Sequence, residues 1–144
     1  MTNINKANIL IDTHLEVYSK DAQHAYRVAQ YVADNLRVPY NLLHDSIAVA
    51  LCHDLLEDGF VEEEELKETF ADSPRVFNAI KILTKSKDIS YDEYCMKIGS
   101  RGRSEENDIA YWVKIADMKD HLMQTETLTD RLKEKYLSGL RYLL

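Results

Sequence analysis

Apolar residues recur at intervals of three and four along most of the chain. Ala22, Ala25, Val28, Ala29, Val32, Ala33 and Leu36 fall on one face of a helix, and Pro39 ends it. A second helix is predicted from about Asn41 through Leu56, with Leu43, Ile47, Ala50 and Leu51 on one face and Gly59 as its stop. Glu62 to Glu65, with Leu66 and Phe70, predicts a short acidic helix. Ser73-Pro74 reads as an N-cap with proline at the first helical position, opening a helix that carries Val76, Ile80 and Leu83. Ser90-Tyr-Asp-Glu93 has the spacing of a capping box. Beyond a polar connection from Gly99 to Arg103, Ser104 caps a long helix through Asp120, and a last helix covers about Leu128 to Leu143. No strand pair, repeat or linker interrupts the pattern. The expectation is an all-α, single-domain bundle of about seven or eight helices over residues 1–144.

The informative positions are polar residues where the period calls for apolar ones. The stripe Leu43, Ile47, Ala50, Leu51 continues onto Asp54, and Ala110 and Val113 lead onto Asp117. A carboxylate on a core face costs on the order of several kcal/mol unless it is paired, hydrogen-bonded or bound to metal. His53 adjoins Asp54, and His24 lies beside the apolar face of its own helix. Two imidazoles and two carboxylates suit a divalent transition ion such as Mn, Fe, Co or Zn. Glu57 and Asp58 stand at i+4 from His53 and Asp54, each above its partner if the helix continues. A carboxylate pair one turn from a metal is what metal-assisted hydrolysis requires to steer water and relay its proton. Other residues read as structural: His14 and His44 as ordinary histidines, Cys52 and Cys95 as buried small hydrophobes, Tyr111 and Trp112 as core, and Glu62–Glu65 as a solvated face.

Composition narrows the function classes. A chain of 144 residues makes one domain. Gly 4 and Pro 2 argue against a turn-dense β fold and a Gly-rich nucleotide loop. With 18 Lys and Arg against 25 Asp and Glu, the net charge of −7 disfavours a nucleic-acid polymer as partner. A phosphorylated ligand would therefore need a local basic patch or a bound cation. Two cysteines make no disulfide framework, no signal-peptide stretch opens the chain, and no apolar window approaches the length of a membrane span. The expectation is a cytoplasmic protein with no membrane partner; the pattern does not specify an oligomeric state.

These motifs carry a resemblance. Ala50-Leu-Cys-His53-Asp54-Leu-Leu-Glu57-Asp58 resembles the helix motif of HD-domain metal-dependent phosphohydrolases, in the form found in the hydrolase domain of RelA/SpoT proteins and their small stand-alone relatives. His24-Ala-Tyr-Arg27-Val-Ala resembles that family's first histidine motif, and Val113-Lys114-Ile-Ala-Asp117 through His121-Leu122 its last aspartate motif. Leu83-Thr84-Lys85, Tyr91, Tyr94 and the segment Arg131 to Tyr136 also match, so the similarity spans roughly residues 7–143. The resemblance implies that His24, His53, Asp54 and Asp117 hold a Mn(II) ion. It implies that Glu57 and Asp58 orient the attacking water and move protons. The implied reaction removes the 3′-pyrophosphate of guanosine 3′,5′-bis(diphosphate). Arg27, Lys85, Lys114 and His121 are candidate substrate contacts, with Lys87, Arg101 and Arg103 as further basic candidates. Three features depart from the family pattern. His121 stands where the family has Asn, only a short segment, Tyr18 to Gln23, precedes His24, and Ala25 follows it where the family often has Pro. The alternative is a non-catalytic module of the same type, with a structural metal, that binds a nucleotide or a partner protein.

Overall fold

The computed structural model describes residues 1–100 and 102–144. Among them run eight helices and no strand: α1 (Asn3–His14), α2 (Lys20–Asp34), α3 (Tyr40–Cys52), α4 (Glu63–Thr69), α5 (Pro74–Leu83), α6 (Tyr91–Ile98), α7 (Glu105–Met123) and α8 (Asp130–Leu140). No helix is long and apolar enough to cross a membrane.

Helix α3 is the centre. It packs against α1, α2, α5 and α7, so Leu42, Ala48, Val49, Ala50, Leu51 and Cys52 are buried around more than one face. The small residues among them let neighbouring helices approach closely. Helix α7 is the second axis. It contacts α2, α3 and α5 on one side and α6 and α8 on the other. Side-chain caps set most starts: Ser19 Oγ accepts from Ala22 N–H at 3.2 Å, Ser90 Oγ from Glu93 N–H at 3.0 Å, and Ser104 Oγ from Asn107 N–H at 3.1 Å.

The structure corrects the sequence reading in four places. Helix α3 stops at Cys52 rather than Leu56. His53 donates from Nδ1 to the Ala50 carbonyl at 2.6 Å, and the backbone goes on as successive turns until Gly59, whose φ of +76° suits glycine. Helix α2 stops at Asp34, so Leu36 leaves the expected buried face and is 99% exposed, while Ala33, still within the helix, faces solvent. Ser73 heads α5 without capping it; its hydroxyl instead accepts from Asn3 Nδ2 at 2.9 Å, tying α1 to α5. Helix α1 forms where no period was legible, burying Ala7, Leu10 and Ile11.

Two glycines permit close approach. A Cβ on Gly139 would stand 2.7 Å from the Tyr91 ring and 2.8 Å from Cys95 Sγ, and one on Gly99 would meet the Tyr142 carbonyl. Glycine at 139 therefore lets α8 lie directly on α6. That contact holds Tyr91 and Tyr136 together, with ring centroids 6.0 Å apart. Cys52 and Cys95 are both buried, as the pattern implied.

Candidate metal centre

His24 from α2, His53 and Asp54 from the turn after α3, and Asp117 from α7 converge. Their donor atoms all lie within 4.8 Å of one another. His24 Nε2 is 2.8 Å from Asp117 Oδ1 and 3.4 Å from Asp54 Oδ2; His53 Nε2 is 3.2 Å from each of the same two oxygens. Donors bound about 2.1 Å from one ion at right angles are about 3.0 Å apart, so these spacings are those of a single coordination sphere.

The tautomers agree with this. A carbonyl only accepts, so His53 Nδ1 carries the proton it gives Ala50, and Nε2 is left as the donor atom facing the cluster. His24 Nδ1 lies 2.6 Å from Asp120 Oδ2, which turns its Nε2 the same way. Asp120 is 1% exposed and is clamped by Arg27, whose Nε and Nη2 donate to its two oxygens at 2.7 and 3.0 Å. A carboxylate behind a ligating imidazole fixes ring orientation and raises ligand basicity. Lys114 Nζ donates to Asp117 Oδ2 at 2.8 Å, which leaves Oδ1 for the cluster. The four residues thus form a donor set able to hold one metal ion, of the kind that two imidazoles and two carboxylates offer a divalent transition metal.

Without a metal, protons stand in for it. Burial works against charge on His24, but hydrogen bonds to Asp117 and Asp54 outweigh it and raise the imidazole from 6.5 to about 9. His53 moves well upward in the same way: burial opposes its charge and the carboxylates of Asp54 and Asp117 prevail. Burial alone would raise both carboxyls. The His53 charge and the histidine hydrogen bonds instead hold Asp54 below the usual carboxylate range, and Lys114 with three histidines does the same for Asp117. Asp58 goes the other way: burial, then the charges of Asp54, Glu57 and Asp21, push it from 3.8 to about 6.

The centre sits between two cavities. One, of about 340 Å³, has Lys85, Lys87, Lys114 and Lys135 among its walls, with Tyr91, Tyr94 and Tyr136. The other, of about 600 Å³, is bounded by the Tyr18–Gln23 segment, Arg27, Asp58, Asp120 and the Gln124–Thr127 turn. Asp54, Glu57, His121 and Tyr136 belong to both.

The candidates from sequence separate accordingly. Lys85, Lys87 and Lys114 reach the metal-side cavity. Arg27 is engaged by Asp120, behind His24. Glu57 Oε1 accepts the Lys85 backbone N–H at 2.7 Å, and Asp58 lines only the larger cavity. His121 Nε2 stands 3.2 Å from Asp117 Oδ1, beside the ligand set itself, and its ring stacks on Tyr136 with centroids 4.6 Å apart and planes 9° apart. Arg103 lines a separate groove between α5 and α7, and Arg101 lies outside the described residues. Asp120, Lys135 and Tyr136 were not singled out from sequence. Asp120 carries the signal that revealed Asp117, since it continues the same stripe at i+7 from Val113. Lys135 and Tyr136 have no signal in the periodicity, since an exposed lysine and a half-buried tyrosine fit any amphipathic helix; only the resemblance of the segment Arg131 to Tyr136 touched them.

No protein-family model matches the chain, and no curated protein matches it.

Proposed function

We propose that this protein is a divalent-metal-dependent phosphohydrolase acting on a phosphorylated nucleotide. The observation that carries the reading is the convergence of His24, His53, Asp54 and Asp117 at the seam of two cavities, one of them walled by lysines. Four protein donors leave positions open on an ion that prefers five or six ligands, and open positions are the mark of a reactive site rather than a structural one. When bound, the ion supplies Lewis acidity to a phosphoryl oxygen and brings the pKa of water toward neutrality.

The chain's own residues supply the remaining work. Lys85, Lys87 and Lys135 neutralise phosphoryl oxygens, while Lys114 holds Asp117 in its ligating orientation. The stacked His121–Tyr136 pair offers an aromatic face to a base or sugar. The Lys85 N–H fixes Glu57 through Oε1, and Oε2 has no protein partner among the described residues, so it is available to orient water in line with phosphorus. Asp58, one residue on, receives or relays the proton at its carboxylate.

The test is a panel of nucleotides incubated with the Mn-loaded protein, assayed for released phosphate and pyrophosphate. Guanosine 3′,5′-bis(diphosphate), the substrate that the resemblance suggests, belongs on it beside nucleotides phosphorylated at one end. Turnover of at least one member is expected, and Asp54→Ala should abolish it together with metal retention. No release from any member would favour a non-catalytic nucleotide- or partner-binding module with a structural metal. The tie between Glu57 and the Lys85 amide is the observation on that side.

A further inference from the structure

The two cavities that meet at the metal centre carry opposite charge. On the smaller one, Lys85, Lys87, Lys114 and Lys135 outnumber the carboxylates, of which Asp54 and Asp117 belong to the metal set. On the larger one, besides Asp54 of the metal set, Asp21, Glu57, Asp58, Asp120 and Glu126 face Lys20 and Arg27. Arg27 and Asp120 cancel, since the guanidinium is already held by both carboxylate oxygens. Lys20 is then left against Asp21, Asp58, Glu126 and the shared Glu57. The N-terminus of α2 adds no anion site, because Asp21 already occupies its first turn. The remaining polar groups of this wall, Tyr18, Gln23, Gln124 and Thr127, are neutral and suit hydroxyls. A cavity of about 600 Å³ is roughly one Debye length across at physiological ionic strength, so salt does not erase this field.

We infer that the substrate is anionic at one end only: its phosphoryl group enters the lysine-walled cavity, its neutral or cationic body occupies the acidic cavity, and nucleotides phosphorylated at both the 3′ and 5′ positions are disfavoured. This rests on the reading of the centre as a phosphohydrolase site, and it narrows that reading to a substrate class. A second phosphate placed across the metal from the first would face three uncompensated carboxylates, and like charges so placed act as a rejecting element.

The test compares each nucleoside monophosphate with the matching 3′,5′-bisphosphate, and with guanosine 3′,5′-bis(diphosphate), on the Mn-loaded protein. Both kcat/KM and the dissociation constant from calorimetry are read. A preference for the single-ended ligands of ~10-fold or more is expected. The double variant Asp21→Lys/Glu126→Lys, changed at two exposed positions away from the four candidate metal donors, should narrow that preference ~10-fold and leave metal content within ~2-fold. Equal handling of single- and double-ended ligands by the parent overturns the inference, as does a double variant with an unchanged ratio. If nothing is turned over, the hydrolase reading fails separately, and the calorimetric ratio still decides the charge polarity. Absence of binding by every nucleotide overturns both.

Discussion

His24 and His53 face the centre through Nε2 because each is held from behind at Nδ1, by Asp120 and by the Ala50 carbonyl. The two anchors are unlike. The carbonyl belongs to α3 itself, whereas Asp120 is a removable side chain with a buried charge. Asp120→Asn keeps the shape and removes the charge that makes His24 a better ligand. It should weaken Mn or Co binding about 10–100-fold, the usual size of such outer contacts, measured by calorimetry. An unchanged dissociation constant would show that Arg27 and Asp120 are only a structural ion pair. Glu57 carries the test of the proposed chemistry. Glu57→Gln retains the acceptor for the Lys85 N–H but loses charge and basicity. Metal binding should persist while turnover of the best panel substrate falls about 10²–10⁴-fold. Turnover at the parent rate would leave Glu57 as no more than a tether for the segment after α5.

At the scale of elements, the contact of α8 on α6 shapes the lysine-walled cavity, because it places Lys135 and Tyr136 opposite Lys114. Gly139 makes that contact possible. Gly139→Ala is therefore expected to destabilise the fold by about 1–3 kcal/mol, the range for overpacking, despite alanine's better helix propensity. The same variant should disturb the cavity while sparing the metal set, so thermal melting and metal affinity should separate. A melting temperature at or above that of the parent would mean that α8 lifts freely. Helix starts were legible in the sequence because their signals are local: Ser90 and Ser104 cap as their spacing implies. Helix ends were less so. The end of α3 coincides with the His53 ring taking the Ala50 carbonyl, a contact that periodicity does not encode. Helix α1 was illegible for a related reason: its buried Ala7, Leu10 and Ile11 face one side while the exposed Ile9 blurs the stripe. The four metal donors were legible because carboxylates on apolar stripes stand out. Of the lysine wall, Lys85, Lys87 and Lys114 stood among the basic candidates, but their meeting with Lys135 on one cavity did not, since the wall is assembled from three elements that only the fold brings together.

For the whole molecule, the cluster of His24, His53, Asp54 and Asp117 is the place where stability and pH are coupled. In the metal-free protein, burial of His24 is outweighed by its bonds to Asp117 and Asp54, and its pKa stands near 9 against 6.5 unfolded. A raised pKa means that the folded state holds a proton the unfolded chain releases. The resulting stabilisation is full below about 6.5 and is lost as pH rises through about 9. His53 adds to this in the same direction. Asp54 and Asp117, held low, contribute in the opposite sense at the acid end, where their stabilisation fades as pH falls below the ordinary carboxylate range. A metal ion held by this set would replace these protons. It requires deprotonated imidazoles, so its binding would release protons and strengthen over the interval in which the metal-free protein weakens. An ion that binds only the assembled donor set would show its affinity as folding stability. Thermal melts at pH 6.5, 7.5, 8.5 and 9, with chelator or with saturating Mn, should therefore diverge. The melting temperature should fall with pH under chelator and hold or rise with Mn. In Asp54→Ala the gap between the two conditions should collapse at every pH. Parallel curves for the parent protein, or a gap that narrows as pH rises, would show that the centre stabilises the fold as a proton-bridged ion-pair cluster and not as a metal site.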